Sequence, residues 1–400
     1  MGKCGLGIDV LTAAERRIAY CFDRFPRVYI SFSGGKDSGV MLHLAALEAR
    51  RRSKQLGLLF VDLEGQYRMT IKYIEDMLDF YADVLDVYWV ALPLNLRNAV
   101  SQYEPQWCCW EPGREADWVR PMPDRAISDP AYFPFFRHRM EFEEFVPAFG
   151  EWYSQGEPTA CLVGIRADES LNRYRTVANT RKITFNGRAW TTRVQGPLYN
   201  VYPLYDWRTA DIWRYYGKTK LPYNRLYDYM HRAGLSIHQQ RICQPYGDDQ
   251  RKGLWLFHLI EPETWGRVVA RVNGANQGAL YARESGNILG NLKITKPAHM
   301  TWQEFAEHLL AGMPPKTADH YRDKIAVFLH WYDTRGYPEG LIPDEGPVGD
   351  KTAPSWARIC KALLRNDYWC KGLSFSQTLP ANYSKYKELM RRRRNHWRLI

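Results

Sequence analysis

No stretch of this 400-residue chain stays apolar for the roughly 20 residues that a membrane-crossing helix requires. The opening MGKCGLGIDVLTAAERR has no apolar core of the kind a secretory leader carries, and Leu6 stands where an N-myristoylation signal has Ser or Thr. The expectation is a cytoplasmic protein with no membrane partner. Cysteine is sparse, eight in the whole chain with no C-x-x-C pair, which excludes a disulfide scaffold. Two widespread phosphate-binding signatures are missing as well. A Walker A loop needs Gly six residues before its Lys, where Lys36 has Ile30, and no G-x-G-x-x-G spacing occurs. Internal repeats and low-complexity segments are absent. Acidic residues are outnumbered, 44 against 55 Lys and Arg, giving a formal charge of +11. That surplus suits a polyanionic partner: a nucleotide, a nucleic acid or an acidic protein. Part of it is the run Arg391 to Arg394, read either as a solvated helix end or as a phosphate-backbone contact.

What is present is an alternation of short β-rich runs and helical patterns. Thr12 and Glu15 have capping-box spacing, so a helix is expected from Thr12 to about Phe22. RVYISF follows as a buried strand, SGVMLHLAALEARR as a helix, GLLFVDLEGQY as a strand, MTIKYIEDMLDFYA as a helix and VLDVYWVALPL as a third strand. A fourth strand fits TACLVGIRA. Strand and helix in alternation predict a parallel sheet with crossover helices, an α/β fold. From about 95 to 157 the pattern breaks into a segment rich in Pro, Trp and charge, read as a functional insertion or lid. Helical patterns dominate beyond about Ser236, including TWQEFAEHLL with a capping box at Thr301 and Glu304. The expected organisation is therefore a nucleotide-binding domain over 1–235 and a mainly helical domain with a basic tail over 236–400.

The most informative stretch is Ser33-Gly34-Gly35-Lys36-Asp37-Ser38, placed between a strand and a helix. Glycines let backbone N–H groups approach an anion, and the following helix adds unsatisfied donors and the positive end of its dipole. Serine hydroxyls and Lys36 complete a phosphate site at the carboxyl edge of the sheet. This stretch resembles the SGGxDS loop of the PP-loop ATP pyrophosphatases. GIRADESLNR, from Gly164 to Arg173, and VYPLYDWRTADIWRYYGKTKLPYNRLYD are similar to two stretches of the sulfonucleotide (PAPS) reductases within that superfamily. The second matches through Pro203, Asp206, Trp207, Asp211, Leu221, Pro222, Tyr223, Leu226 and Tyr227. The remainder resembles the C-terminal half of bacterial PAPS-reductase-like proteins described beside a ParB-like nuclease partner.

The resemblance implies a five-stranded parallel sheet with helices on both faces, of the adenine nucleotide alpha hydrolase-like type. It also implies ATP with Mg2+, and cleavage between the α- and β-phosphates. The catalytic candidates are Lys36, Asp37, Arg166 and Arg173. Nucleotide-binding candidates are Ser31, Ser33, Gly34, Gly35, Ser38, Asp62, Glu64 and Gly164, with Asp37 and Asp62 as metal ligands. Each has an ordinary alternative. Arg166 or Arg173 reaches phosphates, or pairs with Asp168 or Glu169. Asp62 and Glu64 face a ribose or magnesium, or are surface charges at a strand end. Asp37 organises the loop or a metal, or caps a helix. Asp206 and Trp207 read as structural, the aspartate turning the chain into a helix and the tryptophan packing beneath the site.

The resemblance also has a limit. Sulfonucleotide reductases carry their nucleophilic cysteine in a Glu-Cys-Gly-[Ile/Leu]-His stretch, and none occurs here; Cys360 and Cys370 have other neighbours. Cys243 lies among Arg241, Asp248, Asp249 and Arg251, as a substitute nucleophile or an inert half-buried thiol. Cys108-Cys109 resembles the vicinal pair of the iron–sulfur APS-reducing branch, but without the downstream C-x-x-C an iron–sulfur cluster is not expected. Three functions follow: an ATP-dependent adenylating enzyme acting on a substrate such as nucleic acid, a sulfonucleotide reductase or transferase, and a nucleotide-sensing regulatory subunit working through a protein partner.

Overall fold

A computed structural model of the chain describes residues 7–101, 104, 106–247, 253–272, 274–275, 295–333, 335–346, 353–365, 367–368 and 370–375. The runs read as strands are apolar on both faces, as strands flanked by helices on two sides must be. They form β1 (Arg27–Ser31), β2 (Leu56–Val61), β3 (Leu85–Val90) and β6 (Thr159–Val163). These join β7 (Thr191–Gln195) and β8 (Leu198–Val201) in one sheet of order β3-β2-β1-β6-β8-β7. The five strands from β3 to β8 are mutually parallel, as expected. A sixth, β7, was not expected; it runs antiparallel to β8 with an irregular register between Arg193 and Gln195. A small hairpin of β4 (Asn95–Arg97) and β5 (Gln106–Cys108) stands apart from the sheet.

Alternate residues of the strands feed two cores. Val28, Ile30, Leu58, Phe60 and Leu162 pack with helices α1 (Val10–Arg24), α2 (Lys36–Arg51), α3 (Arg68–Phe80) and α6 (Thr209–Thr219). Tyr29, Leu59 and Cys161 point the other way, onto α4 (Phe142–Ser154), the segment around Trp107 to Phe133, and α7 (Leu226–Arg232). Helices α8 (Leu254–Ile260) and α9 (Pro262–Arg271) belong to this second core through Leu254, Phe257 and Val268. They lie beyond the boundary expected near 235, yet they pack as part of the sheet's own layer. A third core, containing Trp302, Tyr321 and Ile359, is built from α10 (Trp302–Ala311), α11 (Pro315–Asp333) and α12 (Trp356–Leu364). The capping box read at Thr301 and Glu304 is present: the Glu304 amide donates to Thr301 Oγ at 3.1 Å and the Thr301 amide to Glu304 Oε2 at 2.7 Å.

Three local expectations need correction. Helix α1 begins at Val10, because Asp9 rather than Thr12 is the cap and accepts from the amides of Leu11 and Thr12 at 2.9 and 3.0 Å. The irregular insertion ends near 141, since residues 142–154 form α4 in spite of Pro147, which hid its period. Asp206 caps nothing. It holds Arg17 of α1 through two hydrogen bonds of 2.8 and 2.6 Å, while Trp207 Nε1 donates to the Val10 carbonyl at 3.0 Å. At the start of helix α6 it is Asp211 that acts, its Oδ2 accepting from the Arg208 amide at 2.9 Å.

His43, buried in α2, ties this face to the segment before α7. Its Nε2 lies 2.9 Å from the Pro222 carbonyl, so that nitrogen carries the proton and donates, while Nδ1 accepts from the Tyr81 hydroxyl at 2.7 Å. Burial lowers its pKa to about 4. A depressed histidine contributes stability that is complete above its unfolded pKa of about 6.5 and is lost as pH falls through the folded value. Urea denaturation between pH 7 and 4 is therefore expected to show an acid loss of about 3 kcal/mol that His43→Gln flattens.

Candidate functional site

The strand order reverses direction at β1. The chain steps from β1 to β2 and β3 on one side, then returns to β6 on the other. Ligands of open α/β sheets bind in the crevice at the carboxyl ends of the strands flanking such a reversal. The SGGKDS loop leaves β1 there, and Gly164-Ile165-Arg166 leaves β6 beside it.

The loop is held by its own serines. The Ser33 and Ser38 hydroxyls are 2.9 Å apart, the Ser33 amide donates to Ser38 Oγ at 3.3 Å, and Ser38 Oγ–H donates to the Gly35 carbonyl at 3.1 Å. Gly34 has φ +70°, and a Cβ there would stand 2.9 Å from Thr70 Cγ2, so both its backbone and its surroundings require glycine. Gly164 is needed for a different reason. A Cβ would lie 3.0 Å from the Ser38 amide nitrogen and 3.2 Å from the Asp37 carbonyl carbon, backbone that cannot move aside. Bare at that position, the exit of β6 rests on the first turn of α2. Gly35 caps α2 without a side chain, leaving first-turn amides without intrahelical acceptors.

Asp37 joins the two exits. Its Oδ1 accepts from Arg166 Nε at 2.5 Å and its Oδ2 from Lys36 Nζ at 3.0 Å. Arg166 is 2 % exposed and also donates to Thr209 Oγ1 at 3.2 Å; Asp168 stands farther off at 3.7 Å. The nearer partner of Arg166 is thus the loop aspartate, with its sequence neighbour Asp168 a second and more distant one. Arg173 is not brought into this cluster: it is half-exposed on α5 (Leu171–Ala178), with its Nε 3.8 Å from Glu169. Ser31 is the last residue of β1, paired in register with Leu59 and Val163, and precedes the loop by two positions.

Several loop contacts come from residues not singled out as site candidates. The Lys36 amide donates to Tyr227 Oη at 3.0 Å, and Tyr216 Oη–H donates to the Lys36 carbonyl at 2.9 Å. Asn224 Nδ2 donates to the Gly34 carbonyl and to Thr70 Oγ1, each at 3.0 Å. Burial pushes both tyrosines well above the usual phenol range, so each keeps its proton. Tyr227 and Asn224 both lie in LPYNRLYD, and their spacing to the loop, 191 and 190 residues, is what concealed the contact.

Asp62 and Glu64, expected at a ribose or metal, have other partners. Asp62 is fully buried, paired with Arg120 and accepting from Trp89 Nε1 at 2.9 Å. Glu64 is fully buried too. It accepts from Arg271 Nε at 2.7 Å and from the amides of Trp110 and Val119 at 2.7 and 3.1 Å. Together they anchor the 95–141 segment and α9 to the end of β2. Asp37 and Asp62, the two metal-ligand candidates, each face a guanidinium. Among the described residues no three His, Cys, Asp or Glu side chains are grouped to hold a metal.

The thiols are mostly withdrawn. Cys108 and Cys109 are buried, and burial raises Cys108 to about 11. Cys360 and Cys370, both in the third core, rise to about 12 from the same cause. Cys243 is partly exposed and close enough to Tyr67 and Tyr227 to interact with both; its expected neighbours Asp248, Asp249 and Arg251 lie outside the described residues, as do Arg391 to Arg394. A cavity of about 280 Å3 opens beside Cys108, lined by Trp107, Glu111, Arg114, Arg139 and Arg271.

The phosphoadenosine phosphosulfate reductase domain model matches residues 27–233, more than half of the chain, and a second model, a domain of unknown function (DUF3440), matches 234–345. The chain belongs to the phosphoadenosine phosphosulfate reductase domain family, within the PP-loop proteins. It is 47 % identical to the uncharacterized protein YbdN of Escherichia coli (strain K12) over all of this chain and 98 % of that one. It is 26 % identical to the sulfate adenylyltransferase subunit 2 of Streptomyces lavendulae, over 65 % of this chain and 70 % of the relative. A solved PAPS reductase from Candida auris, in complex with phosphate, aligns at TM-score 0.30 and 14 % identity over 58 % of this chain and 89 % of its own. No described helix is long and apolar enough to cross a membrane.

Removing one partner of a buried pair strands the other charge, which typically costs about 3–5 kcal/mol. Glu64→Gln, which leaves Arg271 with 1 % of its side chain exposed and no carboxylate, is expected to lose that much in chemical denaturation. Gly164→Ala is expected to cost about 1–3 kcal/mol by overpacking, checked by the same measurement.

Proposed function

We propose that the chain binds ATP in the Ser33–Ser38 loop and cleaves it between the α- and β-phosphates, transferring AMP to an acceptor. The observation that carries this reading is the Asp37 carboxylate between Lys36 and Arg166, which assembles a cationic pair beside a glycine-rich helix N-terminus. First-turn amides of α2 and the Ser33 and Ser38 hydroxyls orient the phosphates. An acceptor oxygen attacks the α-phosphorus, the bond from that phosphorus to the α–β bridging oxygen breaks, and pyrophosphate leaves with the electron pair. Lys36 and Arg166 stabilise the charge that develops on it. Asp37 is a positioning residue, holding both cations at the loop until phosphate oxygens compete for them. Any Mg2+ fits better as a passenger on the nucleotide phosphates than as an ion held by Asp37 and Asp62, since both carboxylates already face guanidinium groups.

Reduction of a sulfonucleotide is the weaker reading. It needs an accessible thiolate; Cys108, Cys109, Cys360 and Cys370 are buried with raised pKa values, and Cys243 alone among the described cysteines is partly exposed. A ParB-like protein, implied by the family resemblance, would be the partner to seek by co-purification. Binding of ATP without turnover, combined with such co-purification, would favour a regulatory subunit over an enzyme.

The test is nucleotide analysis after incubation with ATP and candidate acceptors. AMP, free or transferred, and pyrophosphate are expected in equal amounts, with Lys36→Ala and Arg166→Ala each lowering the rate by about 10²–10³. Products of ADP and phosphate, or sulfite released from PAPS or APS with thioredoxin, would sink the proposal.

A further inference from the structure

After Glu169 the chain runs from Ser170 to Tyr205 without one acidic residue, and carries Arg173, Arg175, Arg181, Lys182, Arg188 and Arg193. Helix α5 opens this segment and has no buried residue. Helices in proteins form chiefly because an apolar stripe is covered. Here Leu171 is 61 % exposed, Tyr174 47 % and Ile183, just beyond the helix, 61 %. Three of the cations are engaged locally: Lys182 Nζ donates to the Thr176 and Val177 carbonyls at 3.2 and 2.8 Å, closing the end of α5, Arg193 Nε donates to the Gly196 carbonyl at 2.7 Å, and Arg173 faces Glu169. Arg175, Arg181 and Arg188 are exposed, and among the described residues none of the three is in an ion pair. Arg188 lies over the Tyr20 ring at 4.9 Å.

Arginines outside any ion pair among the described residues, on a segment that carries an exposed tyrosine and no carboxylate of its own, match a strand that offers both phosphodiester charge and unstacked bases. An acidic peptide would supply the charge but would give Tyr174 no base to stack on. The position agrees: α5 begins five residues after Arg166, so the surface starts within about 17 Å of the Asp37 pair along the chain.

We propose that the surface formed by α5 and the segment to Arg188 docks a single-stranded nucleic acid beside the PP-loop. Docking itself does not depend on ATP cleavage. That the strand is the acceptor of AMP rests on the function proposed above.

Fluorescence anisotropy with the full chain and no ATP tests it, using labelled 20-nucleotide oligo(U) and oligo(dT) and a 20-base-pair duplex as probes. Single strands are expected to bind at least fivefold more tightly than the duplex. The triple variant R175Q/R181Q/R188Q should weaken strand binding at least tenfold and lower the salt slope by about two, since each neutralised phosphate of a single strand adds about 0.7 to that slope. Tyr174→Ala should weaken it about fivefold or more while leaving the salt slope unchanged. A triple variant that binds like the wild type, a preference for the duplex, or binding of the unsubstituted chain to phosphatidylserine vesicles and not to either oligonucleotide would overturn the proposal. Calorimetry with ATP separates the two readings. The triple variant should bind ATP as the wild type does, whereas a wild-type chain that binds strands but not ATP would sink the loop assignment and leave this surface standing.

Discussion

One carboxylate organises the site. Asp37 lies in the first turn of α2, where the helix dipole already favours negative charge, and it receives Arg166 from the next strand over and Lys36 from its own loop. Arg166 is too deeply buried to go unpaired, and its reach to Thr209 adds the start of α6 to the same cluster. Two loops that are independent along the chain become one rigid edge. Gly164 makes this possible, because only a residue without a Cβ lets the end of β6 settle against the Asp37 and Ser38 backbone.

The neighbouring strand end uses acids differently. Asp62 and Glu64 also sit where a parallel strand delivers residues to a ligand crevice, yet they are sealed beneath Arg120, Arg271 and tryptophan N–H groups. Their charge holds architecture in place: the hairpin, the segment through Val119 and helix α9 are all fastened to β2 through them. The loop is then braced from a third direction by Tyr216, Asn224 and Tyr227, whose polar atoms satisfy backbone groups of Gly34 and Lys36. The candidate site therefore consists of a small set of groups on the β1 and β6 exits, inside a larger set that keeps those exits still.

Local signals carried much of this in the sequence. The loop, the parallel strands and the GIRADES stretch could be read because each is a contiguous pattern whose chemistry depends on near neighbours. What could not be read was pairing across distance. Arg166 read as a phosphate contact or as a partner of Asp168 or Glu169, and nothing in a linear string marks Asp37, 129 residues away, as its nearer partner. Asp62 and Glu64 read as groups facing a ribose or magnesium, or as surface charges at a strand end, because their cations, Arg120 and Arg271, are 58 and 207 residues distant. Helix α4 was obscured by Pro147, tolerated because the surrounding aromatic packing of Phe145 and Phe149 outweighs one missing amide. The β7–β8 edge escaped notice since its strands are short and only half-buried, with no strong alternation.

The internal pairs also shape the surface. Asp37, Asp62, Glu64 and Asp206 are acids drawn into contact with Lys36, Arg166, Arg120, Arg271 and Arg17, so neither side of these pairs contributes much field at long range. The excess of cations must then appear where no acid has been placed. The acid-free stretch from Ser170 to Tyr205 is one such place, and it leads directly away from Arg166. Binding a nucleotide in the loop does not by itself account for arginines outside any ion pair, among the described residues, along an uncovered helix that follows Arg166. The asymmetry makes sense if the anion recognised is larger than the one the loop can hold.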